Sequence, residues 1–198
     1  MDYSTLLIVD CKTTAWEGKP PFGQTTELIS LDVALIDTNK NQIVEQETTL
    51  IRPKKSKISA HCEKLFGISQ KEIDEDGIEF SEVYRKLRIH YMSRDRLWAS
   101  WNLYDKHAFG EQCKTLSLES LFIYPHLSIQ HLYSMMIGHP AGTDEISIDR
   151  AMQNCELQMT DNDAANVASI YMRMAKGLRP ATKTRIVVPG QFGFSRAN

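Results

Sequence analysis

The sequence predicts an α/β domain with a mixed central sheet flanked by helices, and three observations predict it. A short β-rich apolar run, Leu6 to Val9, is too short for a helix and delivers an aspartate, Asp10, at its end. Two further strand-like stretches, 27–37 and 43–51, flank the polar turn Asp37-Thr38-Asn39-Lys40-Asn41, giving an antiparallel hairpin that the first run can join as a neighbour. After residue 60 apolar side chains recur at helical spacing, interrupted by a short apolar strand from Leu97 to Trp101.

Between the first strand and the hairpin, Gly18 to Gln24 is a loop by composition. The basic segment Arg52-Pro53-Lys54-Lys55-Ser56-Lys57 ends the hairpin and reads as a solvated loop rather than a phosphate patch. Short helices are expected over His61–Phe66, stopped by Gly67, and over Ser69–Asp74, where Ser69 and Glu72 have capping-box spacing. Phe80, Val83, Tyr84 and Leu87 mark an amphipathic helix ending near His90. After the strand at 97–101 come Asn102-Leu103-Tyr104-Asp105 and a helix from Lys106 to Cys113. Pro125 breaks the next region, Ile129, Leu132, Tyr133 and Met136 suggest a helix, and His139 to Thr143 is a loop. Helices over Ile146–Cys155 and Asp163–Lys176 complete the domain, with Gly177 as the last stop signal.

With 198 residues, 42% apolar and 24% charged, the chain is expected to form one soluble domain over 1–178 with a basic tail over 179–198. No apolar run reaches the roughly 20 residues that cross a bilayer, and the N-terminus lacks the basic start of a signal peptide, so a cytoplasmic protein without a membrane partner is expected. Cys11, Cys62, Cys113 and Cys155 form no CxxC pair and are expected to be free thiols. The net charge of −2 is uneven: residues 176–198 carry five of the 23 basic residues and no acid, leaving 18 against 25 acidic residues in the body. Such a tail is either solvated or an arm for nucleic acid or a protein partner.

Four stretches then resemble the DEDD-type 3′–5′ exonucleases of the ribonuclease H-like fold, in the DEDDh branch whose last motif carries a histidine. Asp10-Cys11-Lys12-Thr13-Thr14-Ala15-Trp16-Glu17 is similar to that family's Asp-x-Glu-x-Thr-x-Trp-Glu, and Ile58 to Ile68 to its Ser-x-x-x-x-x-Leu-Thr-Gly-Ile segment. Trp98-Ala99-Ser100-Trp101-Asn102-Leu103-Tyr104-Asp105 resembles its second catalytic motif, and Asp163-Ala164-Ala165-Asn166-Val167-Ala168 its Asp-x-x-Asn-Ile-Ala.

The resemblance implies a ribonuclease H-like exonuclease fold and a site in which two divalent ions, Mg²⁺ or Mn²⁺, hold the attacking water and the leaving oxygen of a phosphodiester. Asp10, Asp105 and Asp163 stand at three of its four acidic positions and are the implied metal ligands; Trp16, Thr13 and Asn102 are the candidate nucleic-acid contacts, Trp16 by stacking on a base. Two positions depart from the pattern. Lys12 replaces the glutamate, and an ungapped reading puts Gln158 where the family has its histidine, although the short stretch from Cys155 to Asp163 also allows that the histidine is deleted.

An ammonium about 4 Å from a dication is repelled by on the order of 8 kcal/mol at an effective dielectric of 20, an upper figure, and a fifth of that weakens metal binding about tenfold. Loss of the histidine base costs a further 10²–10⁴ in rate, in the usual range. The expectation is therefore a degenerate member of the family that retains a cleft for single-stranded RNA or DNA, with one ion or none and weak or absent hydrolysis. The alternatives are an active metal-dependent 3′–5′ exonuclease, or a protein-interaction subunit that docks through the tail. Lys12 is expected inside the carboxylate pocket, paired with one or more of the aspartates.

Overall fold

The computed structural model describes residues 2–140 and 145–178. The basic tail 179–198, and with it the expected docking arm, lies outside the described residues, as do three residues of the expected loop at 139–143. Among the described residues a five-stranded mixed sheet is sandwiched between two layers of helices. Strand β1 (Asp2–Thr13) pairs antiparallel with β2 (Leu28–Asp37), which pairs antiparallel with β3 (Gln42–Leu50). On its other side β1 runs parallel to β4 (Arg96–Ser100), and β4 parallel to β5 (His126–Ser128), so the order across the sheet is β3-β2-β1-β4-β5.

The helices are α1 (Ala60–Phe66), α2 (Gln70–Asp76), α3 (Phe80–Ile89), α4 (Tyr104–Thr115), α5 (Ile129–Met136), α6 (Ile148–Asn154) and α7 (Asp163–Leu178). Alternation along β1 and β2 divides the core. Leu6 and Ile8 lie across from Ile36 and Ala34 and pack with α5, α6 and α7; Leu7, Val9, Val33 and Leu35 face α3 and α4. The small residues Ala164, Ala165 and Ala168 bring the α7 backbone close to the sheet, where they are fully or nearly fully buried.

Most expected elements are present, including the capping box at Ser69 and Glu72. Four details differ. Asp10 does not end its strand, because β2 continues to pair with β1 as far as Thr13. The helix expected from Lys106 begins at Tyr104, so Asp105 sits in its first turn. Strand β5 has no strand-like run in the sequence: its three residues are held by β4 rather than by their own propensity. Gly177 does not stop α7, which continues to Leu178, as a single glycine costs a helix only about 1 kcal/mol. The four cysteines are free. No helix among the described residues is long and apolar enough to cross a membrane.

Candidate active site

The even-numbered residues of β1 that cover the core, Leu6 and Ile8, are followed on the same face by Asp10 and Lys12. The β1–β2 register places Asp10 directly across from Asp32 and Lys12 across from Ser30. Helix α7 starts over this point with Asp163, and β4 leads into α4, whose first turn carries Asp105. Three elements far apart in sequence thus meet near one edge of the sheet. Asp10, Asp105 and Asp163 line a single cleft of about 480 Å³, together with Trp101, Asn102, Tyr104, Gln130, Glu145 and Asp149.

Lys12 reaches into the carboxylates. Its Nζ is 3.0 Å from Asp163 Oδ2 and 3.5 Å from Asp32 Oδ2. Burial alone pulls the Lys12 ammonium toward deprotonation, but Asp32, Asp163 and Asp10 outweigh it, and its pKa is raised above the ordinary 10.5. The cation is therefore fixed and charged at neutral pH.

Asp32 is a member of the carboxylate cluster that sequence reasoning missed. It is 1% exposed, accepts the Thr48 hydroxyl at 2.7 Å through Oδ1, and accepts the Asp163 backbone N–H at 2.9 Å through Oδ2. It therefore holds both Lys12 and the first turn of α7. The signal was available: an aspartate alone inside the apolar run 28–36 must have a partner or it would not be buried. Around it, Asn162 caps α7 by accepting the Ala165 N–H at 2.7 Å, while its Nδ2 donates to Glu47 O at 2.8 Å and Thr48 Oγ1 at 3.1 Å. Buried Asn166, quoted above only as part of a motif, accepts the Thr160 N–H at 2.9 Å and donates to Thr160 O at 3.0 Å, closing the turn that sets Asp163.

The other two carboxylates are held differently. Asp105 Oδ1 accepts the Cys11 backbone N–H at 2.9 Å, tying α4 to β1. Burial raises the Asp105 pKa, with the Cys11 hydrogen bond opposing it. The Asp10 carboxylate makes no hydrogen bond or ion pair among the described residues. Burial first, then the charges of Asp105 and Asp163, push its carboxyl well above the ordinary value, with Lys12 only partly compensating. An oxygen from each of Asp10, Asp32 and Asp163 lies within 4.8 Å of the others.

A raised carboxyl pKa means that the folded chain keeps a proton that the unfolded chain has released, so the charge on Asp10 costs stability as pH rises from the ordinary value of 3.8 through the higher folded value. Asp10→Asn is expected to melt above the unmodified chain at pH 7, with the difference closing toward pH 4. Thermal melts in metal-free buffer at the two pH values measure it, and a lower melting temperature for the variant at pH 7 would contradict the electrostatic reading.

The remaining expected site residues are spread out. Asn102 lines the cleft and accepts the Tyr104 N–H at 2.7 Å. Thr13 is buried and its hydroxyl is 2.5 Å from that of Tyr104, so it positions the cleft wall. Trp16 is half-buried at the start of the loop after β1, and Gln158 is exposed; neither is among the described residues lining the cleft. No histidine lines the cleft among the described residues. His131 lines an adjoining hollow that shares Asn102, Tyr104, Gln130 and Glu145 with it.

Lys12 Nζ already contacts Asp163 Oδ2 and Asp32 Oδ2, and so competes with any pair of divalent ions for the same carboxylate ligands. The carboxylates whose oxygens lie close enough together to share one ion are Asp10, Asp32 and Asp163, while Asp105 lines the same cleft outside that group among the described residues.

No protein-family model matches this chain. A stretch of 74 residues is 34% identical to the 3′–5′ exonuclease Snipper of Drosophila melanogaster, covering 36% of this chain and 26% of that protein. The match thus spans about a quarter of the curated relative's length. Among solved structures, the nuclease domain of 3′hExo, a DEDDh family member bound to rAMP, is similar at a TM-score of 0.75 over 88% of this chain and 93% of that one, with 22% identity. The 3′-exonuclease in a structure of 3′-end specific recognition of a histone mRNA stem-loop is similar at 0.73, over 88% and 83%, with 20% identity. The fold is the ribonuclease H-like fold of these 3′–5′ exonucleases.

Proposed function

We propose that this chain, which has the fold of the DEDDh 3′–5′ exonucleases, is a degenerate member of that family that binds single-stranded nucleic acid and hydrolyses it weakly or not at all. The observation that carries the reading is Lys12 Nζ, 3.0 Å from Asp163 Oδ2 inside the carboxylate cluster. A fixed ammonium supplies there the positive charge that a metal would supply, but it has no open coordination position from which to activate water.

One Mg²⁺ or Mn²⁺ ion held by Asp10 and Asp163, with Asp105 on the same wall, would neutralise a phosphate and lower the pKa of a bound water. The chain's own part is to orient and exclude: Asp32 fixes Lys12 and the α7 terminus, Tyr104 and Asn102 form part of the wall, and no imidazole lines the cleft among the described residues to accept a proton. The Asp10 carboxylate, without a hydrogen-bond or ion-pair partner among the described residues, favours a second reading, slow hydrolysis with a single ion.

End-labelled single-stranded RNA and DNA incubated with Mg²⁺ or Mn²⁺, beside the Asp10→Ala chain, separate the two. The expected result is retained binding with little shortening. Stepwise loss from the 3′ end that disappears in Asp10→Ala would establish the second reading instead.

A further inference from the structure

A cleft walled by Asp10, Asp105, Glu145, Asp149 and Asp163, with Lys12 as the cation among them, repels a phosphodiester rather than attracting it. A strand that binds here needs attraction from outside the cleft, and the structure holds a built source. Glu27, 6% exposed, accepts three successive backbone N–H groups, from Lys54 at 2.8 Å, Lys55 at 2.9 Å and Ser56 at 2.8 Å. The lysine-bearing segment is thus wrapped around a buried carboxylate instead of being left to solvent.

The same segment is clasped to the loop that follows β1. Ser56 Oγ donates to Thr25 O at 2.5 Å, the Lys57 N–H donates to Gln24 Oε1 at 3.1 Å, and Ser59 Oγ donates to Ala15 O at 2.6 Å. Ala15 is five residues along the chain from Asp10, so the clasp begins within about 18 Å of the cleft at full extension. Lys54 pairs with Glu79 at 3.3 Å. Lys19, Lys55 and Lys57 are exposed and pair with no carboxylate among the described residues. Two residues before Gln24, whose side chain holds the Lys57 N–H, Phe22 stands wholly exposed on a tight turn, closed by the Gln24 N–H on Pro21 O at 3.0 Å, with Gly23 at φ +82° supplying the conformation the turn needs.

Exposed lysines interleaved with an exposed aromatic are the pairing that tracks a single strand, the cations along its phosphates and the ring against a base. We infer that Lys19, Phe22, Lys55 and Lys57 form a rim that holds single-stranded nucleic acid as it enters the cleft. The inference rests on the nucleic-acid reading of the cleft and adds where the strand runs.

Fluorescence anisotropy with a short labelled single strand, over a series of salt concentrations with and without Mn²⁺, tests it. The double variant Lys55→Ala, Lys57→Ala is expected to lower the slope of log affinity against log salt by about 1.4, since each phosphate contact on a single strand contributes about 0.7. Phe22→Ala is expected to weaken binding by about 5- to 150-fold with the slope unchanged, the range for one lost base stack. Lys40→Ala, in the β2–β3 turn, is expected to change neither. If the unmodified chain binds and the rim variants match it in slope and affinity, the rim inference fails and the cleft reading stands. If the unmodified chain binds no single strand under either condition, both fail.

Discussion

Lys12→Met is expected to lower the thermal stability of this chain by about 2–4 kcal/mol, since removing one partner of a buried ion pair leaves the other charge uncompensated. The figure sits below the roughly 3–5 kcal/mol usual for buried pairs because the Lys12 side chain is 19% and that of Asp163 30% exposed, whereas that of Asp32 is 1% exposed. In a domain of this size each kcal/mol moves the melting temperature by about 2–4 °C, so the shift is roughly 4–16 °C. The loss falls on Asp32, which cannot rotate into water without giving up the Thr48 hydroxyl and the Asp163 N–H. Adding Asp32→Asn to the variant should return most of the stability, because the amide oxygen can still accept the Asp163 N–H while its Nδ2 turns donor toward the Thr48 hydroxyl oxygen, and no charge is left unpaired; two neighbours that share one interaction are strongly non-additive.

The pH dependence has a definite sign. Because the Lys12 pKa is raised by its partners, its contribution is complete below 10.5 and is lost as pH rises through the folded value. Melts of the unmodified chain, the single variant and the double variant at neutral pH decide the matter. A single variant within about 2 °C of the unmodified chain would show that Lys12 is not the counter-charge of Asp32.

What was legible beforehand followed from periodicity and local chemistry. The apolar run of β1, the capping box at Ser69 and the amphipathic α3 all report on neighbours within a few residues, and that information is written locally. The convergence of Asp10, Asp105 and Asp163 was legible only through motif order, since nothing in the residues themselves measures a distance across the sheet. Asp32 stayed hidden because its role depends on the β1–β2 register, which pairs it with Asp10; a shift by one residue would have turned it to the opposite face. Gln158 shows the reverse failure. Counting back from Asp163 selected it, but the turn held by Thr160 and Asn166 leaves position 158 exposed. Phe22 and the lysines at 55 and 57 read as plain loop, because only the buried Glu27 reveals that the loop is fixed.

The central claim is that Lys12 occupies the cluster in place of a metal ion, and its second large consequence concerns affinity. Lys12→Glu exchanges a cation for a carboxylate beside Asp32 and Asp163. Without metal, like charges then crowd one site, and the variant is expected to be less stable than the unmodified chain and to regain stability on addition of Mn²⁺, which binds the folded state. Hydrolysis is not expected to return with it: the cleft still has no imidazole, and catalytic groups that act together recover little when only one is restored. Adding Gln158→His should not change this while that position faces solvent.

The most direct measurement is therefore a calorimetric titration of Mn²⁺ into the unmodified chain and into Lys12→Glu at neutral pH. Removing even a fifth of an ammonium–dication repulsion of on the order of 8 kcal/mol tightens binding about tenfold, so Lys12→Glu is expected to bind Mn²⁺ at least about ten times more tightly. Equal affinity in the two chains would show that the ammonium does not stand in the metal's place.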